Sequence, residues 1–229
     1  MDPFGDAGGY GVFGRLAKRL AAALALGLLV AAPATAEVRI VALGDSLTAG
    51  FGLPEAEGFV PRLDAWLAAQ GAADVTVVNA GVSGDTSAGG LARVDWALAE
   101  GADAVIVELG ANDMLRGIDP AVTRENLAGI LDAIEAKGLP AILAGIPAPP
   151  NYPADYRKAW KAMFRDLARS HDAIYYPSFL AGLGEGRSIR QIMRLFQSDG
   201  LHPNAEGVQA IVDDIGPVVL ELAAKARAQ

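Results

Sequence analysis

Short, almost continuously apolar segments recur along the chain and alternate with segments whose apolar residues are spaced as in helices. The apolar segments are residues 38–43, 75–78, 104–109, 141–146 and 173–176. Runs of this length without polar alternation are typical of strands buried on both faces of a parallel sheet. The helical patterns cover residues 59–69, 88–99, 121–136, 155–170 and 204–226.

Five strand–helix units in series predict a parallel sheet with right-handed crossovers. Helices then cover both faces of the sheet, which gives an α/β fold built as a three-layer α/β/α sandwich. No linker rich in proline, glycine or serine interrupts residues 37–229, so this part of the chain is predicted to be a single domain.

Residues 1–36 have a different pattern, which predicts a leader and secretory signal peptide. Arg15, Lys18 and Arg19 precede an apolar run at 20–32, and Ala34 and Ala36 form a small-x-small end. The run is shorter than the roughly 20 residues that a membrane span needs, so no stable span is expected. A buried N-terminal helix is the alternative. Cleavage after Ala36 predicts a periplasmic or secreted protein.

Composition narrows the possible chemistry. The formal net charge is −8, which argues against a nucleic-acid partner. The chain has no cysteine, so a disulfide framework, a thiolate metal site and a cysteine nucleophile are all excluded. Hydrophobic residues make up 52% of the chain, enough for a sizeable core. Any catalysis by an imidazole must use His171 or His202, since these are the two histidines.

Small polar turns follow three of the predicted strands. They are Gly44-Asp45-Ser46-Leu47, the stretch at 79–85, and Gly110-Ala111-Asn112-Asp113. Open parallel sheets bind their ligands at the carboxyl ends of the strands, so these turns predict a site there. Each turn alone is equally well explained as a strand-to-helix connection with its helix cap.

A fourth segment, Asp199-Gly200-Leu201-His202, precedes the last predicted helix. An aspartate three residues before a histidine on a tight loop can accept the Nδ1 proton and leave Nε2 free to take another. Asn204 is compatible with a helix-capping role in either interpretation. His171 falls at the end of a helical pattern and is interpreted as a helix C-terminal or surface histidine.

These four segments resemble the conserved blocks of the SGNH (GDSL) hydrolases. The resemblance extends from residue 38 to the last helix and is strongest with the bacterial thioesterase I, lysophospholipase L1 and arylesterase branch. The motifs that carry it are Gly44-Asp45-Ser46-Leu47-Thr48, Val82-Ser83-Gly84-Asp85-Thr86-Ser87, Gly90-Leu91-Ala92-Arg93, Val107-Glu108-Leu109-Gly110, Asn112-Asp113-Met114-Leu115-Arg116-Gly117 and Asp199-Gly200-Leu201-His202-Pro203-Asn204.

The resemblance implies a role for each matching residue. Ser46 would be the nucleophile, His202 its general base and Asp199 the residue that orients the imidazole. The backbone N–H groups of Ser46 and Gly84, with the Asn112 amide, would form the oxyanion hole. No metal or cofactor is implied. The family fold is a flavodoxin-like, five-stranded sheet in the order 2-1-3-4-5. The Gly-x-Ser-x-Gly elbow of α/β-hydrolases is absent, because Thr48 stands at its last position.

The implied activity is that of a serine esterase or thioesterase acting on short- to medium-chain acyl esters, including aryl esters, thioesters and lysophospholipids. Carbohydrate deacetylation by the same triad and a non-catalytic lipid- or glycan-binding module are the alternatives. The residues expected to bind substrate are Phe51, Leu115, Ile118 and Phe196, and their apolar character favours acyl chains. Apolar positions within 179–196 are spaced as in a short amphipathic helix that either walls an acyl pocket or packs on the sheet. The sequence is compatible with both a monomeric and a dimeric state.

Overall fold

A computed structural model describes residues 37–184 and 186–229. The predicted signal peptide at 1–36 lies outside the described residues. None of the helices in the described part of the chain is both long and apolar enough to cross a membrane.

The centre of the fold is a parallel sheet of five strands. They are β1 (Val38–Gly44), β2 (Val75–Gly81), β3 (Ala104–Glu108), β4 (Ala141–Ala144) and β5 (Ile174–Tyr176). Their order in the sheet is β2-β1-β3-β4-β5, which confirms the predicted fold class and strand order. The strands are almost continuously apolar because helices cover both faces of the sheet, and Ile40 and Val41 on opposite faces of β1 are both fully buried.

The described residues form nine α-helices. They are α1 (Ser46–Ala49), α2 (Phe59–Ala69), α3 (Ser87–Ala97), α4 (Ala111–Leu115), α5 (Pro120–Glu135), α6 (Ala154–Ser170), α7 (Ala181–Gly184), α8 (Ile189–Met193) and α9 (Ala205–Arg227). A short 3-10 helix, Glu55–Glu57, lies in the loop after α1. The five long helices match the predicted helical patterns to within two residues at each end.

The helices pack in two layers. One face of the sheet is covered by α2 and α9, and the other by α3, α5 and α6. The α2 and α9 layer is tightly packed, because a Cβ added at Gly216 would lie 2.6 Å from the ring of Trp66. Asn204 caps α9 by accepting a hydrogen bond from the N–H of Gly207 at 3.0 Å, which confirms its predicted capping role.

Two strand ends differ from the sequence prediction by more than one residue. Strand β2 continues to Gly81 because its pairing with β1 persists to the end, so polar Asn79 lies in the strand. Strand β4 ends at Ala144, two residues early, because Gly145 turns toward the segment after β5 and its carbonyl accepts from the N–H of Phe179. Between 179 and 196 the chain forms two short helices. Two of the three apolar residues of α8 point outward, since Ile189 is 80% and Met193 53% exposed, while Ile192 packs against the core.

The register of the sheet brings three strand ends together. Gly44, the last residue of β1, pairs with Gly81 at the end of β2 and with Glu108 at the end of β3. The three polar turns that follow these residues therefore lie side by side at the carboxyl edge of the sheet.

Candidate active site

Ser46 is the first residue of α1 and is separated from the end of β1 by Asp45 alone. Asp45 caps this helix, since its Oδ1 accepts a hydrogen bond from the N–H of Leu47 at 3.0 Å. The turn requires glycine at position 44, because a Cβ there would lie 2.0 Å from Oγ1 of Thr48. The strand-to-helix turn thus presents a half-buried Ser46 at the carboxyl edge of the sheet.

Ser46, His202 and Asp199 form a continuous hydrogen-bonded row. The Ser46 Oγ lies 2.9 Å from Nε2 of His202, and the imidazole Nδ1 lies 2.7 Å from Oδ2 of Asp199. The other carboxylate oxygen of Asp199 accepts from the N–H groups of Leu201 and His202, which fixes the loop. Phe51 contacts the imidazole, with ring centroids 4.5 Å apart.

The protonation of this row follows from its hydrogen bonds. The bond from His202, followed by the two backbone N–H bonds, lowers the pKa of Asp199 to about 2. Asp199 is therefore ionised near neutral pH and can only accept, so the Nδ1 proton of His202 is donated to it. In the neutral imidazole, Nε2 then carries the lone pair that faces the hydroxyl of Ser46.

Gly84 lies in a tight turn beside the nucleophile loop. The N–H of Asp85 donates to the carbonyl of Val82 at 3.0 Å, and Gly84 has a φ of +84°, a conformation that favours glycine. Arg116 covers this turn, and its guanidinium donates to the carbonyl of Gly84 at 2.7 Å.

Asn112 lies in α4, which begins after the positive-φ residue Gly110. Its Nδ2 donates to Oδ2 of Asp45 at 3.0 Å, so one of the two amide hydrogens is fixed against the cap of the nucleophile helix. The neighbouring Asp113 is fully buried and accepts from both the N–H and the hydroxyl of Ser87, the first residue of α3. Two carboxylates thus tie the Asn112 loop to the other two turns.

Sequence reasoning missed these two carboxylates. The signal for Asp45 was available, since an aspartate directly before a helix start is a typical cap. For Asp113 no local signal existed, because its partner Ser87 lies 26 residues earlier in the chain.

Glu108 is a second buried acid beneath the nucleophile helix. It is fully buried, its Oε2 accepts from the hydroxyl of Thr48 at 2.8 Å, and its Oε1 has no hydrogen-bond partner among the described residues. Burial, and secondarily the charge of nearby Asp45, raises the pKa of Glu108 well above its ordinary value. Glu108 is thus held as a neutral acid over a pH range in which an exposed glutamate would be ionised.

This raised pKa predicts a pH-dependent stability. As the pH rises above the ordinary glutamate pKa of about 4.3, the unfolded chain releases the Glu108 proton while the folded chain retains it, so stability falls. We expect Glu108→Gln, a neutral isostere, to flatten this decline as the pH rises from about 4.3 toward neutrality. Thermal melting of both proteins across that range measures it. If the melting temperature falls equally with rising pH in both proteins, Glu108 is not the group that causes the decline.

Of the four predicted substrate-binding residues, Phe51 and Phe196 lie beside His202, whereas Leu115 and Ile118 lie at the end of α4 and just after it. Phe51 is 49% exposed and contacts His202, and Leu115, at the end of α4, is 58% exposed. Ile118 is half-buried in the loop after α4. Phe196 is half-buried and forms an isolated bridge with Pro203, next to His202.

His171 lies at the opposite edge of the sheet. It caps the C-terminus of α6, as the sequence predicted, and its Nε2 is 3.1 Å from Oδ1 of Asp132. With Glu135 these residues are the one group in the described part of the chain whose spacing suits a metal ion. They lie before β4 and β5, away from Ser46, so they take no part in the row described above.

Comparisons with known proteins agree with the geometry. The chain is 38% identical to the esterase TesA of Pseudomonas aeruginosa over 204 residues, covering 89% of this chain and 97% of that protein. It is 35% identical to thioesterase 1/protease 1/lysophospholipase L1 of Escherichia coli K12 over 192 residues, covering 83% and 86% of the two chains.

Among solved structures, the fold is similar to that of AlinE4, an esterase of the SGNH-hydrolase family. The TM-score is 0.66 at 38% identity, covering 81% of this chain and 96% of that one. The family model for GDSL-like lipases and acylhydrolases matches residues 42–210. The chain therefore belongs to the GDSL-like lipase/acylhydrolase family, the SGNH hydrolases, and is a carboxylic ester hydrolase.

Proposed function

We propose that Ser46, His202 and Asp199 are the catalytic triad of an esterase that works through an acyl-enzyme. The observation that supports it best is the unbroken row of hydrogen bonds from Asp199 through His202 to the Ser46 hydroxyl. His202 Nε2 takes the hydroxyl proton as Oγ attacks the ester carbonyl, and it returns that proton to the leaving alcohol or thiol. Water then attacks the acyl-enzyme by the same route, which releases the acid and restores Ser46.

The proposed oxyanion hole consists of the N–H groups of Ser46 and Gly84 and the side-chain amide of Asn112. Ser46 is the first residue of α1, so its N–H has no partner within the helix. The bond to Asp45 engages one amide hydrogen of Asn112 and leaves the second for the substrate oxygen. Donors fixed in advance stabilise the charge of the tetrahedral intermediate without reorganising during the reaction.

The proposed substrates are short- to medium-chain acyl esters, including aryl esters, acyl thioesters and lysophospholipids. In this proposal Phe51, Leu115, Ile118 and Phe196 contact the acyl chain. Their apolar side chains and the names of the two relatives, an esterase and a thioesterase/lysophospholipase, support this class. Carbohydrate deacetylation is not favoured, since neither relative is named for it.

A panel of substrates tests the proposal. We expect hydrolysis of p-nitrophenyl esters with short to medium chains and of acyl-CoA, because the same acyl group is transferred from either leaving group. Acetylated xylan is the control substrate and is expected to react poorly. Preferential release of acetate from the polysaccharide would overturn the acyl-ester assignment in favour of deacetylation.

We further propose that the mature protein is periplasmic or secreted and begins at Glu37. The proposal rests on the basic, apolar and small-x-small pattern of residues 15–36. N-terminal sequencing of protein expressed in a bacterial host tests it. A start at Glu37 in the periplasmic or secreted fraction supports export, and an intact leader on protein confined to the cytoplasm contradicts it.

A further inference from the structure

Arg93, on the second turn of α3, links two of the segments that adjoin Ser46. Within the described part of the chain its guanidinium donates three hydrogen bonds, two to the end of β2 and the turn after it and one to the last residue of β1. Nε donates to Oδ2 of Asp85 at 2.6 Å, Nη1 to the carbonyl of Ala80 at 2.7 Å and Nη2 to the carbonyl of Gly44 at 2.9 Å. Its side chain is only 16% exposed, so these bonds are largely shielded from water.

Two of the three acceptors, Gly44 and Asp85, lie within two residues of a group of the proposed oxyanion hole. The carbonyl of Gly44 ends β1, two residues before Ser46, and it also accepts from the N–H of Val82. Asp85 follows Gly84 directly, and its carboxylate packs so closely that a Cβ at Gly89 would lie 1.9 Å from Oδ1. One rigid side chain therefore spans the two turns that carry the backbone donors.

The two turns are also in direct contact below Arg93. A Cβ added at Gly81 would lie 2.4 Å from the N atom of Ala49 in α1. The turns can approach no closer there, and the guanidinium, together with the hydrogen bond from the Val82 N–H to the Gly44 carbonyl, holds them against separation. Contact and hydrogen bonds together set the distance between the N–H groups of Ser46 and Gly84.

We propose that Arg93 is a positioning residue that fixes the spacing of the Ser46 and Gly84 N–H groups in the oxyanion hole. The proposal rests on the proposed function, because it assumes that these two groups bind the oxyanion. Arg93 touches neither substrate nor nucleophile and acts through the two turns. Its effect falls on the transition state, where the donors must converge on one oxygen, more than on ground-state binding.

Lysine cannot replace arginine in this role. A guanidinium presents several N–H groups in a fixed plane, whereas an ammonium is a single nitrogen on a flexible stem. Lysine at position 93 keeps the charge and can pair with Asp85, but it cannot also hold the carbonyls of Ala80 and Gly44. Arg93→Lys therefore separates the geometric role from the ion pair.

We expect Arg93→Lys to lower kcat by about 10- to 100-fold, since small misplacements in a site have effects of that size, with KM nearly unchanged. Activity is measured well below the melting temperature on protein shown to be fully folded. Arg62→Lys is the matched control, because Arg62 is half-buried and its guanidinium donates to Gln209, linking α2 to α9 without a hydrogen bond to either of the two turns. It is expected to keep the wild-type kcat.

Arg93→Ala gives a second, independent readout. Millimolar guanidinium is expected to restore part of its kcat in a saturable manner, and the same concentration of sodium chloride is not. A folded Arg93→Lys with wild-type kcat would overturn the proposal. A rise in KM with an unchanged kcat in Arg93→Lys would also overturn it, as would an equal fall of kcat in Arg62→Lys. If a fluorophosphonate does not label the wild-type enzyme at Ser46, the proposed function itself is wrong. If it labels the wild-type enzyme and Arg93→Lys keeps the wild-type kcat, only the role of Arg93 is wrong.

Discussion

Ser46→Ala is expected to abolish ester hydrolysis, with kcat lowered by roughly 10⁴- to 10⁶-fold. The hydroxyl is the atom that forms the acyl-enzyme, and alanine offers no nucleophile in its place. Among the described residues the Ser46 hydroxyl is hydrogen-bonded to Nε2 of His202, so removing the hydroxyl should cost the fold little stability. Steady-state kinetics and a thermal melt on the same preparation measure both expectations.

The matched control is Ser170→Ala, at the end of α6 on the opposite edge of the sheet, where the hydroxyl donates to the carbonyl of Leu167. That variant removes one serine hydroxyl and its hydrogen bond without approaching the site, and it should keep wild-type kcat. A folded Ser46→Ala with more than about a hundredth of wild-type kcat, contamination excluded, would remove Ser46 from the mechanism.

Asn112→Ala is expected to lower kcat by roughly 10²- to 10³-fold with little change in KM. The amide stabilises a charge that exists only once the carbonyl has been attacked, so the substrate itself binds almost as well. Ser46, His202 and Asp199 keep their hydrogen bonds in this variant. Reaction with a fluorophosphonate should therefore persist, at a lower rate.

If Asn112 had only a structural role, Asn112→Ala would lower the melting temperature, and the folded fraction would keep a near-normal kcat. The bond from Nδ2 to Asp45 also stabilises the turn, so some loss of melting temperature is expected in either case. Asn126→Ala is the control, because Asn126 donates to the hydroxyl of Ser87 and makes no hydrogen bond to Asp45, Ser46 or His202. A folded Asn112→Ala with near-normal kcat would contradict the oxyanion role, as would an equal loss in the control.

The sheet and the position of the site were predictable because they depend on local pattern. Uninterrupted apolar runs identify strands buried on both faces, and strand–helix alternation then leaves few topologies. The polar residues after β1, β2 and β3 had to meet because parallel strands end at one edge. The spacing of Asp199 and His202 predicted their hydrogen bond, since three residues on a tight loop suffice to bring a carboxylate to Nδ1.

The hydrogen bonds that hold the turns of the candidate site in place were not predictable from the sequence. Arg93 bonds to a carbonyl 49 residues away, and Glu108 bonds to a hydroxyl 60 residues away. Such partners depend on the packed register of the sheet, for which no local pattern is diagnostic. The outward position of Ile189 and Met193 escaped prediction for the same reason, because helical spacing specifies a shared face of α8 but not what that face contacts.

The central claim, that Ser46 is a nucleophile activated by His202, is tested most directly by the site of covalent modification. The wild-type enzyme is treated with a fluorophosphonate, digested, and analysed by mass spectrometry. The account predicts one phosphonyl group per chain, on the peptide that contains Ser46, formed in step with the loss of esterase activity. Inactivation with the adduct on any other residue, or full modification of Ser46 without loss of activity, would contradict it.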